Sequence, residues 1–225
     1  MSLRAVFVAG AHTEIGKTHV ACALLEAARA EGRSVEALKP VVSGFDPTDW
    51  AGSDPGRLLA ALGRPLTPET LEAISPWRLA APLAPPMAAK LEGRALPLAP
   101  IVAFCRQRIA ASQADLVLVE GVGGLMSPIA DGATGIDLMQ GLGAPSILVG
   151  GAYLGGISHL LTALETLRCW GGPPRALVVS QDPGPDAPDF AETVECVRSF
   201  ASPLPVIAAP RSEDRAWAKG LLELL

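Results

Sequence analysis

The stretch Gly10-Ala11-His12-Thr13-Glu14-Ile15-Gly16-Lys17-Thr18 decides the fold. Before it stands Ala5-Val6-Phe7-Val8-Ala9, an apolar run of the length of a buried strand. After it, residues 18–30 form an Ala/Leu-rich helical pattern closed by Gly32. A strand, a glycine-punctuated loop and a helix opening on Gly-Lys-Thr suit a chain that wraps a triphosphate. Backbone N–H groups and the helix N-terminus face the anion, Lys17 reaches the β and γ phosphates, and the Thr18 hydroxyl ligates Mg²⁺. The usual pattern sets its first glycine five positions before the second. Here that position is Ala11 and the glycine stands one earlier, at Gly10, so the flanking strand and helix carry the reading as much as the spacing does.

Outward from the loop, residues 35–38 read as a second strand, followed by Lys39-Pro40. Strand, helix and strand make a βαβ unit, which implies parallel pairing through a right-handed crossover. Prolines then crowd the segment 43–100, with short helical pieces near 54–62 and 86–92. The segment is too apolar for disorder and reads as an ordered excursion that covers a site. A helix at 101–111 leads to a strongly buried strand at 115–120. Further strands are expected at 146–149, 176–180 and 205–208, with helices at 157–170, 187–200 and 213–225. Short apolar runs alternating with helices predict an α/β fold: one domain over residues 1–225, with a mostly parallel, doubly wound sheet flanked by helices, of the P-loop NTPase kind.

The bulk composition agrees. Of 225 residues, 49% are apolar and 18% charged, enough for a large core. Five Phe, four Trp and one Tyr leave Ala, Leu and Val to fill it. A net charge of −5 argues against a general nucleic-acid binder, so anionic substrates must be captured by local charge. Cys22, Cys105, Cys169 and Cys196 are far apart with no CxxC spacing, as expected of structural thiols in a reducing compartment. The first apolar run is too short for a signal core, and no stretch approaches the roughly 20 apolar residues that span a bilayer. A soluble, cytoplasmic protein without membrane partners is expected.

Two further motifs lie at strand ends. Lys39-Pro40-Val41-Val42-Ser43-Gly44 follows the second strand, and ligands of open α/β sheets bind at such carboxyl ends. A cation there could neutralise charge on a transferring phosphoryl group. Val119-Glu120-Gly121-Val122-Gly123-Gly124 ends a buried strand in a carboxylate, which is costly unless paired or metal-bound. Its glycines permit close backbone approach to a ligand. A dinucleotide fingerprint would need its third glycine at Met126, and is set aside. Asp54, after Ser53, is a further candidate metal ligand.

Taken in order, these pieces resemble the dethiobiotin synthetase family. That family opens with Gly-Thr-(Asp/Asn)-Thr-(Asp/Glu)-(Val/Ile)-Gly-Lys-Thr, which has the glycine offset seen from Gly10 to Thr18. It continues with Lys-Pro-Val-x-Ser-Gly, Ser-Asp and Val-Glu-Gly-x-Gly-Gly, matched at Lys39 to Gly44, Ser53-Asp54 and Val119 to Gly124. Leu154-Gly155-Gly156-Ile157-Ser158-His159 is similar to its Leu-Gly-x-(Ile/Thr)-(Asn/Ser)-His, and Pro82 to Gly93 to its proline-bearing substrate wall. The likeness runs from about residue 5 to residue 212.

The resemblance implies closure of a cyclic urea on 7,8-diaminopelargonate from CO₂ and ATP with Mg²⁺, giving dethiobiotin in biotin synthesis. A carbamate oxygen attacks the γ-phosphate, and the second amine displaces phosphate. It implies that Lys17 and Lys39 stabilise the phosphoryl and carbamate charge, and that Thr18, Asp54 and Glu120 surround Mg²⁺. It places Glu14, Ile15, Gly16, Lys17, Thr18 and His19 along the nucleotide, with Glu120, Gly121, Val122 and Gly123. It sets Ser180, Gln181, Pro210, Arg211 and Ser212 at the base. Thr13 and Ser43 would contact the substrate. In a homodimer, Leu154 and Gly155 would reach the substrate carboxylate bound against the partner subunit.

This chain departs from the pattern at Ala11 and His12, and it has Ser180-Gln181 where the family commonly carries Asn, which bears on base specificity. A nucleotide-switch ATPase of the partitioning or metal-insertion kind, acting on a protein partner, would carry a lysine early in the loop. Ala11, His12 and Thr13 supply none. An amidating ligase of the cobyrinate type would need an additional glutaminase domain, and a non-catalytic module would not need Lys17, Thr18 and Glu120 intact.

Overall fold

Val6, Phe7, Val8 and Ala9 are sealed from solvent on both sides of the first strand. An uninterrupted apolar strand requires this, because only helices on both faces can cover it. In the computed structural model, which describes residues 5–212 and 214–225, β1 (Ala5–Gly10) leads into α1 (Lys17–Ala30) and β2 (Val35–Leu38). The proline-rich excursion holds β3 (Val41–Ser43), α2 (Asp54–Ala61), α3 (Pro68–Ile74), β4 (Trp77–Leu79) and α4 (Pro85–Leu91). There follow α5 (Leu98–Ala111), β5 (Leu116–Glu120), β6 (Pro128–Ala130), β7 (Ala133–Thr134) and α6 (Gly135–Leu142). The chain continues through β8 (Ser146–Gly151), α7 (Gly156–Trp170), β9 (Leu177–Ser180), α8 (Phe190–Ala201), β10 (Val206–Ala209) and α9 (Trp217–Leu222).

The six expected strands form one sheet in the order β10-β9-β8-β1-β5-β2, every pairing parallel. From β1 the chain crosses through α1 toward β2, and from β8 it crosses through α7 toward β9 on the other side. Right-handed crossovers in opposite directions put α1 and α7 on opposite faces. The crevice at the carboxyl ends of β1 and β8 is the switch point where such sheets bind ligands. Register brings Val8 opposite Glu120 and Gly10 opposite Val149, so the loop after β1 and the carboxylate ending β5 emerge side by side.

The excursion is more regular than its prolines suggest. Ser53 caps α2 by accepting from the Gly56 N–H at 3.2 Å, with Pro55 in the first turn, where no N–H is missed. Thr67 and Thr70 cap α3 reciprocally. β3 and β4 pair in parallel, Val41 opposite Trp77. Unexpected from sequence are α3, the β3–β4 pair, the β6–β7 hairpin and α6. In α6, Gly135 and Gly141 obscure the helical pattern. Thr134 nevertheless caps it, donating its hydroxyl and N–H to Asp137 Oδ2, both at 2.7 Å. A Cβ at Gly135 would stand 2.8 Å from the Leu125 carbonyl oxygen, so the glycine is required by packing. The closing helix spans Trp217–Leu222, shorter than the expected 213–225. Residue 213 lies outside the described residues.

Candidate active site

The loop between β1 and α1 is tied on both sides where it leaves the strand. The Ala11 N–H donates to the Val149 carbonyl at 2.8 Å, and the Leu125 N–H donates to the Gly10 carbonyl at 2.7 Å. Gly16 caps α1 at φ +94°, where an added Cβ would lie 2.4 Å from Ser180 Oγ and 2.5 Å from an Arg211 guanidinium nitrogen. No side chain closes the N-terminus of α1 and no acid stands in its first turn, so its N–H groups are left to an anion. Lys17 folds back over the loop, its Nζ donating to the His12 carbonyl at 2.9 Å. Burial, and then the charge of Lys39, push the Lys17 ammonium down to about 8.

Beside the loop, Thr18 and Lys39 converge on one Glu120 carboxylate oxygen, and Asp54 bonds to both of them. Thr18 Oγ1 lies 2.8 Å from Glu120 Oε1 and 2.9 Å from Asp54 Oδ1, so its single hydrogen serves one at a time. Lys39 Nζ donates to the same Glu120 Oε1 at 2.7 Å and to the Gly121 carbonyl at 2.9 Å, and it pairs with Asp54 Oδ2 at 2.9 Å. Burial alone would lower the Lys39 pKa; Glu120 and then Asp54 outweigh it and hold it up at about 12. Asp54 is opposed by burial but lowered by Lys39 and by its hydrogen bonds with Lys39 and Thr18.

Glu120 is 1% exposed, yet its Oε2 has no hydrogen-bond partner among the described residues. A buried carboxylate oxygen left without a partner is costly unless a cation completes it. Two carboxylates and a hydroxyl form an all-oxygen set suited to a hard divalent ion that keeps waters of its own, as Mg²⁺ does. Among the described residues, no group of three or more His, Cys, Asp or Glu forms a metal site.

Thr13, Glu14, Gly16, Lys17, Thr18, His19, Lys39, Ser43, Asp54, Glu120, Val122, Gly123 and Arg211 line one cavity of about 400 Å³. Val42, Gly44 and Ser53, quoted within the motifs but given no role of their own, line it too, as do Gly52 and Arg57, which the sequence did not single out. Gly52 adjoins the Ser53-Asp54 motif. Arg57 stands one helical turn beyond Asp54, and that spacing was its only sequence signal.

Other expected residues are placed differently. The Ile15 side chain is buried in the core, and Gly121 serves through its carbonyl. Ser180 is fully buried behind Gly16, its Oγ without a hydrogen-bond partner among the described residues, and Gln181 Oε1 is occupied by the Arg211 N–H at 2.9 Å. The Pro210 carbonyl lies 3.2 Å from His19 Nε2, while the Ser212 hydroxyl donates to the Asp214 carbonyl. Leu154, 89% exposed, and Gly155 stand outside the cavity. His12 stacks on His159 at 5.3 Å between centroids, and His159 Nδ1 lies 2.6 Å from the Tyr153 hydroxyl. All four cysteines are free, and no helix among the described residues is long and apolar enough to cross a membrane.

A family model described as an AAA domain matches residues 4–214. A protein from Phenylobacterium zucineum named ATP-dependent dethiobiotin synthetase BioD is 56% identical over 97% of this chain and 94% of its own length. One of the same name from Caulobacter vibrioides is 51% identical over 99% of both chains. Another from Methylobacterium nodulans is 56% identical over 84% of this chain and 85% of its own. Among solved structures, the MinC:MinD cell division complex of Aquifex aeolicus aligns over 96% of this chain and 85% of that one. Its TM-score is 0.56 at 10% identity. The ParA family ATPase of Chlorobium tepidum aligns over 99% and 91%, with a TM-score of 0.53 at 15% identity. Likeness at such identities speaks to the fold alone.

Proposed function

The chain belongs to the dethiobiotin synthetase family, and from that membership we infer that it is an ATP-dependent ligase that closes a cyclic urea on 7,8-diaminopelargonate with CO₂, yielding dethiobiotin, ADP and phosphate. The observation that carries this reading into the site is the meeting of Thr18 and Lys39 on Glu120 Oε1. One carboxylate thus connects the phosphate loop to the cation at the substrate end of the cavity.

The reaction gathers negative charge: a carbamate on one substrate amine, a transferring phosphoryl group, and the mixed anhydride that the second amine opens. The protein has little covalent work and much positioning. Lys17, on the loop, holds charge on the β and γ phosphates. Lys39, kept protonated by Glu120 and Asp54, faces the transferred group. Ser43, three residues beyond Pro40 at the end of β3, orients the substrate from the cavity wall. Thr18, Asp54 and Glu120 would hold Mg²⁺, the unpartnered Glu120 Oε2 supplying a free ligand position. Such an ion neutralises phosphate oxygens and fixes their orientation.

A homodimer and a cytoplasmic location belong to the same proposal. Leu83, Met87, Leu91, Met126 and Leu154 are large, apolar and exposed, which favours burial against a second copy. The turn at Leu154-Gly155 lies outside its own cavity and opens α7 with no side-chain cap and no acid in the first turn. In a dimer it could offer N–H groups to the carboxylate of substrate held by the partner. Free thiols agree with a reducing compartment.

The test is whether ADP release requires both the diamine and bicarbonate. A ligase should release about one ADP per product and little without either co-substrate. Full ATP hydrolysis without the diamine would sink this assignment.

A further inference from the structure

Arg57 is the cation of the cavity that no motif assigns. It sits one turn along α2 from Asp54 and lines the same space as Lys17 and Lys39. The other Lys and Arg side chains there are engaged: Lys17 with the His12 carbonyl, Lys39 with Glu120 and Asp54, and Arg211 with the Gln181 carbonyl at 3.1 Å. The Arg57 guanidinium makes no hydrogen bond or ion pair with the described residues, and its nearest acid along the helix, Asp54, is already taken by Lys39 and Thr18.

Arg211 lies over the loop, its guanidinium 2.5 Å from where a Gly16 Cβ would stand. Burial lowers the Arg211 pKa, Asp182 opposes this, and the charge of Arg57 lowers it further, so the two guanidinium groups feel each other. Like charges lining one cavity with an uncapped helix N-terminus are unfavourable until an anion enters it. A guanidinium fork matches phosphate oxygens in geometry as well as charge.

We propose that Arg57 is a phosphate anchor outside the loop motif, closing on the nucleotide's phosphate chain from α2 while Arg211 holds it from the side of β10. The proposal rests on the nucleotide-binding reading above and adds a determinant of nucleotide affinity to it. Asp54 and Arg57, on one helix, would then join the metal and the phosphates to the same rigid element.

Calorimetric titration with ADP tests it on the wild-type protein, Arg57→Ala and Arg57→Lys, together with melting of each in the nucleotide-free state. Loss of a charge-assisted hydrogen bond should weaken ADP binding about tenfold or more in Arg57→Ala. Arg57→Lys should recover only part, since the charge returns without the fork. The nucleotide-free melting temperature should stay level or rise, because a like-charge contact is relieved. ADP affinity within twofold of wild type in Arg57→Ala would overturn the proposal. So would a lowered nucleotide-free melting temperature accompanied by full rescue in Arg57→Lys, which marks a packing role. Failure of the wild-type protein to bind ADP would remove the nucleotide-binding reading itself, and this proposal with it.

Discussion

The ammonium of Lys39 lies 2.7 Å from Oε1 of Glu120, and the two side chains are 3% and 1% exposed. A pair so buried is sustained only by mutual charge and further hydrogen bonds, here from Asp54 and the Gly121 carbonyl. It is therefore poised rather than inert: an entering anion or cation competes for partners that already exist.

Lys39→Gln should cost turnover far more than nucleotide binding if Lys39, which follows β2 outside the phosphate loop, faces the transferred group as proposed. Turnover is expected to fall by about a hundredfold or more, in line with other preorganised electrostatic groups. Binding of a non-hydrolysable triphosphate analogue should fall by less than about tenfold. Equal losses in the two measurements would contradict this division of labour.

Glu120→Gln keeps the volume of the side chain and removes the charge that the buried, unpartnered Oε2 would offer to a metal. The Mg²⁺ concentration for half-maximal activity should rise about tenfold or more at fixed nucleotide, with the circular dichroism spectrum unchanged. A superimposable Mg²⁺ curve would make Glu120 a structural acid that serves only Lys39.

Lys17 predicts a direction with pH. In the free protein its ammonium titrates at about 8, lowered first by burial. A bound triphosphate stabilises the charged form, so the pKa is higher in the complex and binding takes up a proton at alkaline pH. Affinity should hold below pH 8 and fall by up to about tenfold per unit above it. Calorimetry at pH 9 in two buffers of different ionisation enthalpy measures the uptake; heats that do not depend on the buffer would contradict it.

Much of this was legible in the sequence because burial on both faces forces strands to be continuously apolar. Val6 to Ala9 and Leu116 to Val119 announce themselves, and their order fixes where Lys17, Lys39 and Glu120 emerge. The smaller pieces were hidden for physical reasons. β3 and β4 are three residues each, too short for any period, and α6 begins on a glycine demanded by the Leu125 carbonyl. Arg57 could not be read because its significance lies in what is near it and what is not. No spacing rule announces a guanidinium that pairs with none of the described residues. The withdrawal of Ser180 behind Gly16 was equally invisible, since it depends on the loop packing across the end of β9.

If the Leu154-Gly155 turn serves the partner's cavity, activity depends on association. Light scattering should give twice the chain mass, and specific activity should fall on dilution in step with dissociation. A stable monomer with full activity would contradict the shared site.

The most direct test of the central claim is mass spectrometry of the product formed from 7,8-diaminopelargonate, ¹³C-labelled bicarbonate and ATP with Mg²⁺, using the wild-type protein and Lys17→Ala. The expected result is dethiobiotin carrying the label at its urea carbon, formed about a hundredfold or more slowly by Lys17→Ala. ATP consumed without labelled dethiobiotin, or product formed at the wild-type rate by Lys17→Ala, would contradict it.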